Sequence, residues 1–173
     1  MAASVLVPLL QAPHLAGAAL AALAPLRGAG TEVVALVTEP AAAPEGADVV
    51  VAVPPGTGLA AAATLAMERV HREVVVLLRE GGVPEPGWLT PLAAALRDPG
   101  VAAVTSIDAQ AAEGTAAVGA PAIAWRRADL PAVPPVHDAL VVAALCMELA
   151  RRGEVEVAAA SLVTTLAGGS AAA

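Results

Sequence analysis

VVVLLREGGVPEPGWLTPLAAALRDPGVAAV, Val74 to Val104, carries a strand, a proline-punctuated turn, a helix and a second strand in direct succession. Val74 to Leu78 is apolar at every position, the pattern of a strand covered on both faces. Pro84, Glu85, Pro86 and Gly87 lead into a helix spanning Trp88 to Arg97, and Asp98-Pro99-Gly100 breaks it before a strand at Val101 to Val104. At the end of the first strand, where open α/β folds usually place metal-binding or catalytic acids, stand Arg79, Glu80 and Gly81. The scaffold of this stretch is explicit and its expected chemistry is missing.

The same alternation extends toward the amino terminus. Ser4 to Val7 reads as a buried strand ending at Pro8, His14 to Leu26 as a helix whose last turn Pro25 tightens, and Glu32 to Val37 as a second strand. Asp48 to Val53 is a third strand, and Pro54-Pro55-Gly56-Thr57-Gly58 turns the chain into a helix running to about Val70. Strands alternating with helices define an α/β fold, a single open, mostly parallel sheet flanked by helices. Beyond Val104, DAQAAEG is a surface turn, TAAVGAPAIAW offers one or two strands, RRADL begins a helical turn, and Pro131 to Pro135 is a loop. A last helix runs from His137 or Asp138 to Arg151, Gly153 ends it, and Val155 to Leu166 supplies another strand or two. Residues 1–167 are expected to form one domain and residues 168–173 a flexible tail.

Composition bounds the function. Alanine dominates and neither Phe nor Tyr is present, so Leu, Val and two Trp provide the bulk of the core. A formal net charge of -7 leaves no basic stripe to neutralise a nucleic-acid backbone, which argues against that partner but not against a nucleotide in a local pocket. The single cysteine, Cys146, lies in the apolar run ALVVAALCMELA and reads as a small buried helix residue rather than a reactive thiol. MAASVLVPLL lacks the basic region of a signal peptide, and the apolar run Leu15 to Leu26 is too short for a membrane span. A cytoplasmic protein with no transmembrane segment is the expectation. Gly56-Thr57-Gly58 lacks the lysine and Ser/Thr of a P-loop and reads as a tight turn.

On several landmarks the chain resembles the family-two glycosyltransferases, whose nucleotide-binding domain has the GT-A fold. These are SVLVP, EVVALV, GLAAAATLAM before VVVLL, the VPEPGWLTPLAAALRDPGVAAV block, AWRRADL, and HDALVVAALCMELARRGEVEVAA, in that order and over nearly the whole chain. The resemblance implies a nucleotide-sugar ligand, with Thr38 and Glu39 after the second strand near the nucleotide. It places the metal-binding acids of the family on Arg79 to Gly81, where only Glu80 is acidic, and the histidine that often follows the last strand near Leu166. It makes Asp138 the counterpart of the general base that deprotonates the acceptor hydroxyl, with His137 beside it. Read from the residues alone, Asp138 caps the start of the last helix, with or without a further role.

Because a divalent cation wants several hard oxygen ligands, Glu80 next to Arg79 does not suggest a metal site, and none is expected. Arg79 is either an ordinary strand-end arginine, exposed or paired with Glu80, or a guanidinium that meets a diphosphate directly. Arg126 is a second candidate for phosphate, and Trp125 for stacking on a sugar, against the alternative of a buried indole flanked by solvent-facing arginines. Three functions follow. One is a degenerate glycosyltransferase-like protein without metal-dependent transfer that binds a ligand or supports a partner. The second is a metal-independent inverting glycosyltransferase, and the third a structural protein that assembles with a protein partner or as a homo-oligomer.

Overall fold

Every residue of Ala3–Leu9 and of Val74–Leu78 is buried, so these two runs must lie at the centre of a sheet covered on both sides. The computed structural model of the chain describes residues 2–28, 30–38, 44–109, 120–129, 133 and 135–166. In chain order it contains β1 (Ala3–Leu9), α1 (Ala16–Leu23), β2 (Thr31–Val37), β3 (Val49–Ala52), α2 (Leu59–Met67), β4 (Val74–Leu78), β5 (Gly82–Pro84), α3 (Leu89–Ala95), β6 (Val101–Asp108), β7 (Ala122–Arg126), α4 (Val141–Leu149) and β8 (Glu154–Thr165). Short 3-10 turns flank α1 at Pro13–Leu15 and Ala24–Leu26, follow β7 at Arg127–Asp129 and precede α4 at Asp138–Leu140. The helix expected from His14 to Leu26 is thus an α-helical centre between two tighter turns, each begun by or holding a proline.

The strands form one eight-stranded sheet in the order β3-β2-β1-β4-β7-β6-β8-β5. Neighbours pair in parallel at β3–β2, β2–β1, β1–β4 and β6–β8, and antiparallel at β4–β7, β7–β6 and β8–β5. The expected parallel majority is therefore slim. No helix is found between β6 and β7 among the described residues, and β7 returns beside β6 in the opposite direction. The β6–β8 ladder slips after Thr105↔Val157 and resumes at Ile107↔Leu162, so Ala158–Ser161 bulge opposite Ser106.

Alternation along each strand divides the core into two layers. Val5, Val7, Val33, Ala35, Val74 and Val76 face α1 and α3, while Leu6, Val34, Leu36, Val75 and Leu77 face α2 and α4. Trp88 belongs to the first layer and Trp125 to the second, each only 1% exposed. Alanines at Ala60, Ala62, Ala63 and Ala66 of α2 and Ala16 and Ala19 of α1 are buried, so small side chains bring these helices close to the sheet. The Arg27 guanidinium donates from Nε and Nη2 to Asp48 Oδ1 at 2.9 and 2.7 Å, and Asp48 Oδ2 accepts from the Val33 amide at 2.9 Å. The Arg27 hydrogen bond, with smaller help from the Val33 amide and nearby arginine charge, holds the Asp48 carboxyl below its usual value against the opposing effect of burial. No helix among the described residues is long and apolar enough to cross a membrane.

Candidate functional site

The sheet positions a cleft by its topology. β1, β2 and β3 succeed one another toward one edge while β4 lies on the other side of β1, so the chain reverses direction across the sheet between β1 and β4. In open α/β sheets, ligands bind outside the carboxyl ends of the strands at such a reversal. A cleft of about 300 Å³ opens there, lined by Leu10, Gln11 and Ala12 after β1, Arg79 and Glu80 after β4, His137 and Asp138 before α4, and Leu59, Leu15, Ala139 and Leu166. Four of the residues singled out in the sequence, Arg79, Glu80, His137 and Asp138, thus meet in one place although up to 59 positions separate them.

Glu80 Oε1 accepts hydrogen bonds from the backbone amides of Gln11 and Ala12, both at 2.7 Å. Its carboxylate therefore fastens the loop after β1 to the turn after β4. That turn is closed by the Gly82 amide on the Arg79 carbonyl at 2.9 Å. Gly81 has φ +80°, and a Cβ there would stand 2.9 Å from the Leu166 carbonyl oxygen and 3.1 Å from Leu15 Cδ1. The Leu166 amide in turn donates to the Gly81 carbonyl at 2.9 Å. Backbone at Leu166 thus occupies the space into which a side chain at position 81 would grow.

The turn after β4 offers a divalent cation a single carboxylate, that of Glu80. A hard cation needs several oxygen ligands, Glu80 has one oxygen engaged by two amides, and Gly81 has no room for a second carboxylate. Among the described residues no group of three or more His, Cys, Asp or Glu side chains stands together to hold a metal.

Asp138 does not cap its own helix. Its Oδ1 accepts from the Leu59 amide at 2.7 Å, in the first turn of α2, and its Oδ2 accepts from Gln11 Nε2 at 2.9 Å. The reach is set by Gly58, where a Cβ would lie 3.0 Å from Asp138 Oδ1. Residue 58 supplies no side-chain cap of its own, so the carboxylate that satisfies α2 comes from 79 positions away. The cap expected of Asp138 falls to His137, whose Nδ1 accepts from the Ala139 amide at 3.4 Å.

Arg126 lies elsewhere. Because β7 runs antiparallel to β4, its last residue pairs with Val74, the first of β4, at the opposite end of the strands from the cleft. There Arg126 Nη1 donates to the Leu96 and Asp98 carbonyls at 2.8 and 3.2 Å, and Nη2 to Val101 and Pro99 at 2.7 and 3.4 Å. Nε pairs with Asp129 Oδ2 at 2.8 Å. The guanidinium is fully engaged in closing the end of α3 and the start of β6. Thr38 follows β2 and is half-buried outside the set of cleft-lining residues, and Glu39 lies outside the described residues.

Gln11 is a polar cleft residue that the sequence reading did not single out. It is the first polar side chain after the apolar run VLVPLL, at the carboxyl end of the central strand β1, which is the signal that points to it. Cys146 is half-buried on α4, where burial pushes its thiol above the usual range.

The sheet order, the two helical layers and the cleft define a GT-A-type fold, that of nucleotide-sugar glycosyltransferases. Among solved structures, glucosyl-3-phosphoglycerate synthase from Mycobacterium tuberculosis superimposes with a TM-score of 0.73 at 17% identity, covering 96% of this chain and 72% of that one. A second structure of that enzyme, in complex with Mn2+, UDP-glucose and phosphoglyceric acid, gives 0.73, 17%, 96% and 72%. A mycobacterial protein gives a TM-score of 0.77 at 17% identity, over 98% of this chain and 69% of its own. No protein-family description and no curated protein sequence matches the chain.

Proposed function

We propose that this protein binds a nucleotide-sugar type of ligand in the cleft between β1 and β4 without a divalent metal, and that it does not carry out metal-dependent sugar transfer. It then serves as a ligand-binding protein or as the partner of an active enzyme. The observation that carries this reading is the Arg79–Glu80–Gly81 turn. The arginine lines the cleft, the glutamate is engaged by the Gln11 and Ala12 amides, and the Leu166 backbone excludes a side chain at position 81. A guanidinium pairs bidentately with phosphate and so can supply the positive charge that a cation would otherwise bring. That solved neighbours of the same fold hold UDP or UDP-glucose supports the choice of ligand class.

A second reading, metal-independent inverting transfer, is favoured by the position of Asp138 on the cleft wall. In that reaction an acceptor hydroxyl oxygen attacks the anomeric carbon and its proton passes to Asp138. The bond to the nucleoside diphosphate breaks with its electron pair leaving on the phosphate oxygen. Arg79 would face that developing charge.

Calorimetric titration with UDP, GDP, dTDP and their sugar conjugates, in Mn2+ and again in EDTA, tests both. Base-selective binding of equal strength in the two conditions is the expected result, and binding that appears only with Mn2+ refutes the proposal. Loss of turnover in Asp138→Asn with binding retained would favour the transferase, whereas absence of sugar transfer in a protein that binds the ligand favours the binding role.

A further inference from the structure

The hydrogen bonds of the cleft form one continuous belt. The Leu59 amide donates to Asp138 Oδ1, Gln11 Nε2 to Asp138 Oδ2, and the Gln11 and Ala12 amides to Glu80 Oε1. Gln11 is the one residue of this belt that touches both acids, by its backbone on one side and its side chain on the other. Through it four separate pieces of chain are tied together: the loop after β1, the turn after β4, the first turn of α2 and the 3-10 turn before α4.

We propose that Gln11 is a positioning residue that couples the two acidic walls of the cleft, so that Glu80 and Asp138 shift as a unit and present a charge-compensated surface to the ligand. The physical reason is local electrostatics. Two carboxylates lining one small cleft repel each other and any phosphate placed between them, and each is held in place by N–H donors directed at it. Without the Gln11 amide, Asp138 retains only the Leu59 amide among the described residues, and its second oxygen faces the cleft uncompensated. The proposal goes beyond the choice of ligand and rests on the nucleotide reading only for its ligand half.

Amide hydrogen exchange followed by NMR tests the coupling without any ligand. In Gln11→Ala, exchange at Leu59 should accelerate roughly fivefold, the loss of one hydrogen bond to a charged group that shares the Leu59 acceptor. The core amides of Val76 and Leu77 should keep their protection. Gln11→Glu has the same shape but no donor, so it should match or exceed the alanine variant. Unchanged Leu59 exchange in Gln11→Ala overturns the coupling, and so does a glutamate variant that behaves as the wild type, since shape alone would then suffice. In the ligand half, Gln11→Ala should weaken UDP about fivefold and leave uridine unaffected. An equal loss for both reduces Gln11 to a packing residue and overturns the charge-compensating role. A wild type that binds neither refutes the nucleotide reading, while the exchange result still decides whether Gln11 couples the walls.

Discussion

Arg79 and Arg126 are the same residue at opposite ends of the sheet, and their surroundings leave one open and the other engaged. Arg126 sits at the end of antiparallel β7 with carbonyls of Leu96, Asp98, Pro99 and Val101 and the Asp129 carboxylate around its guanidinium. Arg79 ends parallel β4 on the wall of the cleft, exposed, and no ion pair takes it up among the described residues. A guanidinium already ringed by carbonyl oxygens strengthens the fold. One left at the mouth of a cleft is free to meet an anion. Strand direction decides which end of the sheet each arginine reaches.

The sharpest way to break this contrast is to neutralise each arginine in turn. Arg126→Met should lower unfolding stability by about 3 kcal/mol, because several charge-assisted hydrogen bonds vanish and the carbonyls around them lose their donor. Chemical denaturation measures it, and UDP affinity of the folded variant should be unchanged. Arg79→Met should alter stability by no more than about 0.5 kcal/mol while weakening UDP at least about tenfold. If the two variants exchanged these phenotypes, the assignment of roles would be reversed.

The next effect concerns Gly81. Gly81→Asp adds an acid to the turn, yet it forces a side chain into a left-handed conformation and against the Leu166 carbonyl. The expected outcome is a loss of about 2 kcal/mol with no gain in Mn2+ binding by calorimetry. A variant that folds like the wild type and takes up Mn2+ would mean that the Leu166 backbone yields readily.

The smallest effect is at Arg27 and Asp48, a half-exposed ion pair. The Asp48 carboxyl is depressed in the folded protein, so its contribution is present above the unfolded value of about 3.9 and is lost as pH falls through the lower folded value. The difference in melting temperature between wild type and Arg27→Gln should therefore be full at about pH 6 and shrink below about pH 4. A difference that stayed constant into acid would remove the ion pair from the explanation.

Much of this architecture was legible because burial leaves a period in the sequence. The apolar run Val74–Leu78 marks β4 residue for residue, and Asp98-Pro99-Gly100 marks the break after α3. Strand direction leaves no such mark, which is why Arg126 reads as a cleft residue until the pairing of β7 with β4 is known. Long-range capping is equally silent. Asp138 precedes a helix and looks like its cap, but the helix it completes is α2, and only the missing Cβ of Gly58 hints at the approach. The meeting of Arg79, Glu80, His137 and Asp138 was readable only through resemblance to a fold, and Gln11 escaped because its one mark, a first polar side chain after the apolar run of β1, does not say what it bonds to.

The division of the core into two layers has an optical consequence. With no tyrosine in the chain, ultraviolet fluorescence arises from Trp88 and Trp125 alone, and these lie on opposite faces of the sheet. Neither indole N–H finds a hydrogen-bond partner among the described residues, and both rings are sealed from solvent. Each single-tryptophan variant thus carries an intrinsic reporter of one helical layer, one beneath α1 and α3 and the other beneath α2 and α4, so the emission spectrum itself distinguishes which side of the sheet loosens first.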